Sequence, residues 1–330
     1  MKILVTGCAG LVGSACVELF RQKGHEVIGI DNNGRSQFFG TERKDFSGIQ
    51  LNICDEQSIN QLFINNVFDA VIHAAAQPSH DYSKDHVLED FLVNAWGTVV
   101  LLEATRKYRP QATFVHVSTD KVYGENMRSP GIVKGESRYM NKYKTSGFRE
   151  DLGLDFAGNR SPFGCSKTAA DVYAQEYANY FDMNVGVFRL GCITGKNHEG
   201  AELHGFLAYL AKCIRTETPY KIFGHKGKQV RDQIHANDLA NVFYHFIQNP
   251  KKDAVYNMGG GPERSVSILE AIDLIEKETD KKAIIEHHEA RKGDRIWDVH
   301  DVSKFRKDYP DWDYQYSLQD IIKDVCSKDL

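Results

Sequence analysis

Met1-Lys2-Ile3-Leu4-Val5-Thr6-Gly7-Cys8-Ala9-Gly10-Leu11-Val12-Gly13 opens the chain, and the run Glu26-Val27-Ile28-Gly29-Ile30-Asp31 completes the unit it starts. Lys2 to Thr6 and Glu26 to Asp31 are short apolar runs of strand type, and Leu11 to Lys23 between them has helical periodicity. Gly7, Gly10 and Gly13 punctuate the strand-to-helix junction with GxxGxxG spacing. Glycine permits a tight turn, lets backbone approach a pyrophosphate and allows close helix packing, while the helix N-terminus attracts phosphate charge. Leu11 and Val12 accompany the glycines in this loop. Asp31 ends the second strand, 18 residues beyond Gly13, with Asn32 after it. A carboxylate there accepts hydrogen bonds from both adenosine ribose hydroxyls, and a 2′-phosphate would meet like charge. The unit therefore reads as the start of a Rossmann-type domain that binds NAD in preference to NADP, a preference that Arg35 nearby weakens.

Further strand-type runs lie at Ala70 to His73, Thr113 to Ser118 and Val185 to Leu190, and long helical patterns at Leu88 to Lys107 and Ser166 to Phe181. This alternation predicts an α/β fold, a doubly wound parallel sheet with helices on both faces. Beyond about residue 190 the alternation loosens and Gly-rich turns interrupt it, which predicts a smaller C-terminal substrate-binding domain. The expected division is 1–190 for the NAD-binding domain, with a returning segment at about 230–258, and 191–229 with 259–330 for the substrate domain.

The 330 residues carry 41 Lys plus Arg against 45 Asp plus Glu, a formal charge of −4, so no overall basic field draws the chain to nucleic acid or an anionic membrane. No stretch approaches the roughly 18 apolar residues of a membrane helix. Seven scattered cysteines show no CxxC or metal-ligand spacing, which fits a reducing cytoplasm and gives no metal site.

Several signals then coincide: His73-Ala74-Ala75-Ala76 after the third strand, Asn94-Ala95-Trp96-Gly97-Thr98 in a helix, Ser118-Thr119-Asp120-Lys121-Val122-Tyr123-Gly124 after the fourth, Ser161-Pro162-Phe163-Gly164-Cys165-Ser166-Lys167, and Gly227-Lys228-Gln229-Val230-Arg231-Asp232. Together they resemble the extended short-chain dehydrogenase/reductase family, in its NAD-dependent nucleotide-sugar epimerase/dehydratase branch. Within that branch the chain looks most like the CDP-paratose (CDP-tyvelose) 2-epimerases. The resemblance covers essentially the whole chain. It implies that NAD stays bound while a sugar carbon, C2 of a CDP-linked deoxyhexose, is oxidised and receives its hydride back on the other face. It also implies a homodimer built on two long helices, and a place in carbohydrate biosynthesis such as that of lipopolysaccharide. Carried across by position, Ala74, Ala75 and Ala76 with Ser118 line the cofactor, Asn94 holds a strand–loop junction beside it, Lys167 bonds the nicotinamide ribose, and Thr119 bonds the reacting sugar hydroxyl.

The family's base is the Tyr of a YxxxK pair, its phenol, of ordinary pKa about 10, helped to ionise by adjacent cations. Here that position is Phe163, which has no proton to give or take. Three explanations stand: an engineered Tyr-to-Phe change; a base elsewhere, with Tyr123, Asp120, Lys121, Cys165 and His80 as candidates; or a binding protein that kept the pocket and lost the chemistry. Nucleotide-sugar dehydratases that resemble this chain place an acid and a partner just after the Thr, so Asp120-Lys121 keeps a dehydratase as the alternative reaction. Cys165 reads as a small buried thiol. His80 lies in the loop after the third strand, on the side that faces the sugar in this fold class.

For the nucleotide-sugar end, Arg189 at the close of the fifth strand and Arg231 are the first candidates. Guanidinium groups bind phosphate oxygens bidentately, which suits a diphosphate. Arg291-Lys292-Gly293-Asp294 resembles the later segment that supplies a second such Arg and a ribose-binding carboxylate, which adds Arg291 and Asp294. His198, His204 and the Lys226 to Lys228 turn are open to two readings, contact with the nucleotide base or phosphates, or solvation, which is the commoner state of isolated histidines at such spacing.

Overall fold

A computed structural model describes residues 1–34, 48–127, 131–155, 161–200, 202, 205–291 and 294–327. The strands of the first half are β1 (Lys2–Thr6), β2 (Glu26–Asp31), β3 (Ile49–Gln50), β4 (Ala70–His73) and β5 (Thr113–Thr119), then a hairpin of β6 (Ile132–Lys134) and β7 (Tyr139–Asn141). The second half adds β8 (Val185–Leu190), β9 (Cys192–Thr194), β10 (Tyr220–Phe223), β11 (Val230–His235), β12 (Ala254–Met258), β13 (Ser265–Ser267), β14 (Ile285–His288) and β15 (Trp297–Asp298). Helices are α1 (Leu11–Gln22), α2 (Glu56–Asn65), α3 (Val87–Phe91), α4 (Gly97–Tyr108), α5 (Pro162–Tyr180), α6 (Phe206–Thr216), α7 (Ala236–Gln248), α8 (Ile268–Thr279), α9 (Ser303–Asp308) and α10 (Leu318–Cys326).

Seven parallel strands form the central sheet in the order β12-β8-β5-β4-β1-β2-β3, so the fold is Rossmann-type and doubly wound. Because side chains alternate along a strand, β1 serves both layers: Ile3 and Val5 join the core with Phe20 of α1 and Phe243 and Phe246 of α7, while Leu4 joins Ile59 of α2, Leu101 of α4 and Ala174 of α5. The chain order reverses between β1 and β4. That reversal opens a crevice at the carboxyl ends of the strands, where ligands bind in open α/β sheets.

Five strands read from sequence are present, four of them with the expected bounds, and the sheet adds β3 and β12. From the segment 230–258, α7 and β12 join the central layers, whereas β11 belongs to a smaller sheet with β9, β13 and β15. A third core of Leu210, Ile214, Ile272, Ile275, Ile321 and Ile322 unites α6, α8 and α10. No described helix is long and apolar enough to cross a membrane.

Two local departures matter for the site. The helix expected over Leu88 to Lys107 is broken by a π-helical turn at Leu92–Trp96 between α3 and α4. α5 starts four residues earlier than the apolar pattern suggested, because Ser161 caps it by accepting from the Gly164 amide and Pro162 stands at its first position. Phe163 consequently lies inside the first turn. Cys165, expected as a buried thiol, is exposed on the outer side of this helix.

Candidate functional site

A cavity of about 950 Å³ occupies the crevice and runs from the glycine loop, past the end of β5 and the start of α5, to the segment after β9. Gly7, Gly10, Leu11, Val12 and Gly13 line one end. Gly7 has φ +70°, and a Cβ on Gly13 would stand 2.1 Å from the Gly7 carbonyl oxygen. No side chain caps α1, so its first amides remain for a ligand. Asp31 and Asn32 line the same end, and the Asp31 carboxylate braces the loop by accepting from the Ala9 amide at 3.0 Å and the Asn33 amide at 2.8 Å. Arg35 lies outside the described residues. Ala74, Ala75 and Ala76 form the adjacent wall. A dinucleotide fits this donor set: closely approachable backbone at the phosphate position and a carboxylate at the end of β2 for a ribose.

Asn94 is buried behind that wall and does not line the cavity. Its Oδ1 accepts from the Gln77 amide at 3.0 Å, and its Nδ2 points at the Gln77 carbonyl, Asp90 and Ser166 within 3.2 Å. Its contact with a cofactor, expected from the sequence, is thus indirect, through Gln77, which does line the cavity.

The middle of the cavity is walled by Ser118 and Thr119 at the end of β5 and by Phe163 and Lys167, one helical turn apart on α5. The Ser118 hydroxyl turns away to donate to Asp171 at 2.6 Å. Lys167 is 4 % exposed, and its Nζ donates to the Val117 carbonyl at 2.6 Å. Burial pushes this amine down to about 8 against the pull of Asp171 and Asp90. The Thr119 hydroxyl donates to Asp120 at 3.2 Å and accepts from the Lys121 amide.

The candidate bases fare badly. Tyr123 is fully buried, its hydroxyl donating to Asn257 at 2.7 Å and accepting from Arg189, and burial pushes its phenol up to about 12. Asp120 is hydrogen-bonded to Arg295 and does not line the cavity, and neither do Lys121, Cys165 and His80.

The nucleotide-sugar candidates separate in the same way. Arg189 is 4 % exposed and forms a two-point ion pair with Asp171 at 3.0 and 2.8 Å, so it is a core residue and not a phosphate ligand. Arg231 pairs with Asp294 at 2.7 Å, and Arg291 is exposed with its guanidinium over the Phe223 ring. None of these three lines the cavity, although Gln233, two residues from Arg231 on the same face of β11, does. The far end is instead formed by Cys192, Thr194, Asn197, His198, Glu199 and Phe206. Of the two readings open for His198, solvation does not hold, since it is 8 % exposed and lines the cavity. The reading from sequence did not single out these residues; the Gly191-Cys192-Ile193-Thr194-Gly195 run that follows a strand end is the local signal that could have found them. His204 lies outside the described residues.

Beneath the floor lies a buried charge cluster that sequence reasoning missed. Arg295 joins Asp120 to Asp298, and His300 Nδ1 is 2.9 Å from Asp232 while its Nε2 is 3.8 Å from Asp120. Only glycine fits above it: a Cβ on Gly191, which lines the cavity, would stand 2.5 Å from the His300 ring. Asp120, Asp298 and His300 could together face a metal ion, but the Arg295 guanidinium already fills the cationic place between the two carboxylates. Burial opposes charge on His300, yet Asp232, Asp298 and Asp120 outweigh it and push the imidazole up to about 9. A folded-state value above the unfolded one of about 6.5 adds stability that is complete below that pH and vanishes as pH rises through 9. Urea unfolding should therefore show wild type exceeding His300→Gln by a margin that shrinks between about pH 6 and 10. A margin independent of pH would mean the ring is uncharged.

Residues 3–259 match the NAD dependent epimerase/dehydratase family. The chain is 30 % identical to a CDP-paratose 2-epimerase from Salmonella typhi over 98 % of its own length and 97 % of that protein. It is 25 % identical to a dTDP-glucose 4,6-dehydratase from Escherichia coli over 96 % of its own length and 86 % of the other. The structure of a UDP-glucuronic acid 4-epimerase from Bacillus cereus, solved with UDP-glucuronic acid and NAD, superposes with a TM-score of 0.78 at 26 % identity, covering 99 % of this chain and 98 % of that one. The match spans the glycine loop, the β5 end and α5 that together wall the cavity, and the chain belongs to the NAD-dependent epimerase/dehydratase family.

Proposed function

We propose that this protein epimerises a nucleotide-diphosphate sugar, at C2 of a CDP-linked deoxyhexose. The observation that carries the reading is one continuous cavity of about 950 Å³ that joins the glycine loop to the Thr119–Phe163–Lys167 wall and continues to Asn197 and His198. The whole-length likeness to a CDP-paratose 2-epimerase supports the choice of sugar and carbon. When bound, NAD supplies a reversible hydride acceptor. Thr119 orients the sugar hydroxyl, and Lys167 holds the cofactor ribose from the same wall. The nucleotide end of the substrate falls to Asn197, His198 and Gln233, which line the far part of the cavity.

A 4,6-dehydratase is the competing reaction, as the relatives include such enzymes. Its acid would have to be Asp120, which here is held by Arg295 away from the cavity, and Lys121 stands where its partner carboxylate would be.

The partner in solution is a second copy of this chain. What supports this is that Leu88 (80 % exposed) and Phe91 on α3, Leu92 just after it, and Tyr173 and Tyr180 on α5 are exposed on the two long helices on which the resemblance builds a dimer. Sedimentation should give twice the 37.4 kDa chain mass.

Mass spectrometry of the purified protein is expected to show NAD, and incubation with CDP-paratose to yield the C2 epimer by NMR. A new carbonyl with a 6-methyl signal would instead identify a dehydratase. Tight binding without any label exchange, across a panel of sugar nucleotides, would leave a binding protein.

A further inference from the structure

The reactive wall lacks a phenol, and none of the five side chains considered as its replacement stands there. Among the described residues, the titratable groups that do line the cavity are few. Asp31 and Cys54 belong to the glycine-loop end, and Cys192, His198 and Glu199 to the opposite end, while Glu89 accepts from Tyr82 at 2.9 Å. Lys167 remains. It lies four residues after Phe163, hence on the same helical face, and its Nζ is fixed to the carbonyl of Val117, two residues before Thr119.

We propose that Lys167 is itself the general base, accepting as a neutral amine the proton of the sugar hydroxyl that Thr119 orients. This rests on the epimerase reading above. With NAD bound as the hydride acceptor, the O–H bond would break with its electron pair becoming the second bond of a carbonyl, the hydride would leave the carbon for that acceptor, and Nζ would become an ammonium. On the reverse step Nζ returns the proton, so the cycle is balanced.

The surroundings suit an amine that spends part of its time uncharged. The Phe163 ring beside it is 8 % exposed and apolar, and the nitrogen has one protein acceptor. Asp171 from the same helix and Asp90 from α3 favour the charge, while burial opposes it more strongly and brings the amine to about 8. His73 of β4 and His116 of β5, which also face it, are held neutral by burial, His73 at about 3.

Lys167→Arg keeps the positive charge and hydrogen bonding but cannot release a proton in the working range. With NAD occupancy measured by mass and turnover counted per NAD-loaded molecule, we expect it to lose about 10²- to 10⁴-fold in turnover. Wild-type turnover should rise with pH and level above about 8. Phe163→Tyr in the Lys167→Arg background should restore activity, because a phenol beside a fixed cation takes over the proton. Turnover of Lys167→Arg within threefold of wild type would overturn the proposal. So would an inert wild type with an active Phe163→Tyr, an outcome that leaves the nucleotide-sugar reading standing. Inertness of both removes the reading and the proposal together. Should Lys167→Arg not fold, the ¹³Cε signal of Lys167 in labelled wild type decides: titration near 8 supports the proposal and titration above 10 overturns it.

Discussion

Gly13→Ala is expected to abolish tight NAD binding, weakening it by about 10²-fold, or close to 2.8 kcal/mol. The added Cβ would lie 2.1 Å from the Gly7 carbonyl oxygen, 2.7 Å from its carbonyl carbon and 2.9 Å from Cys8 Cα. All three are backbone atoms, so no side chain can swing aside. Gly7 in turn is pinned, since its own missing Cβ leaves room for the Ala75 amide at 2.6 Å. The loop must therefore move as a piece, and it takes the first amides of α1 with it. Overpacking of this kind also costs about 1–3 kcal/mol of stability. Gly153→Ala, where a Cβ meets nothing within 4 Å, is the control and should change neither quantity. Isothermal titration with NAD checks the pair. A Gly13→Ala affinity within threefold of wild type would show that the loop is not the phosphate cradle.

Asp171→Ala should produce the largest loss of stability, about 3–5 kcal/mol, because it strands the Arg189 charge in the core. Asp171 is fully buried and accepts two hydrogen bonds from Arg189, one from Ser118 and one from Gln175. Replacing both partners by apolar residues, Asp171→Leu with Arg189→Met, should cost much less, since no charge is left behind. Urea midpoints at unchanged slope measure both variants. If the single change costs no more than the double, the ion pair is not what holds α5 to β8.

Gly13 belongs to the part of the site that was legible in the sequence, whereas the Asp171–Arg189 pair was not. Glycine spacing, strand length and a terminal carboxylate are local properties, so the cofactor end was legible down to individual residues: Gly7, Gly10, Gly13, Asp31 and Ala74 to Ala76 all line the cavity. Arg189 was misread because residue type suggests a ligand for a charge, whereas β8 is buried along its whole length and its partner lies 18 residues away on α5. Tyr123 and Asp120 were lost for the same reason, as their partners Asn257 and Arg295 are distant in sequence. Asn94 was expected at the cofactor but lies behind the cavity wall, and the direction of its amide depends on a π-helical turn that leaves no signature in apolar spacing. β3 is only two residues long, and β12 is buried on nearly every residue, so neither offers the alternation that marks a strand.

That π-helical turn has a mechanical side. One additional residue in a helical turn rotates everything after it by about 100° relative to everything before. The rod from Val87 to Tyr108 is therefore two gears on one shaft: the first half aims Asp90 and Asn94 at Gln77 and Ser166, and the second meshes Leu101 and Ala104 with the sheet. Loss of a single residue between Leu92 and Trp96 would leave a regular helix of nearly unchanged composition, but the two halves would be in phase. Either the cavity wall or the sheet packing would then have to disengage.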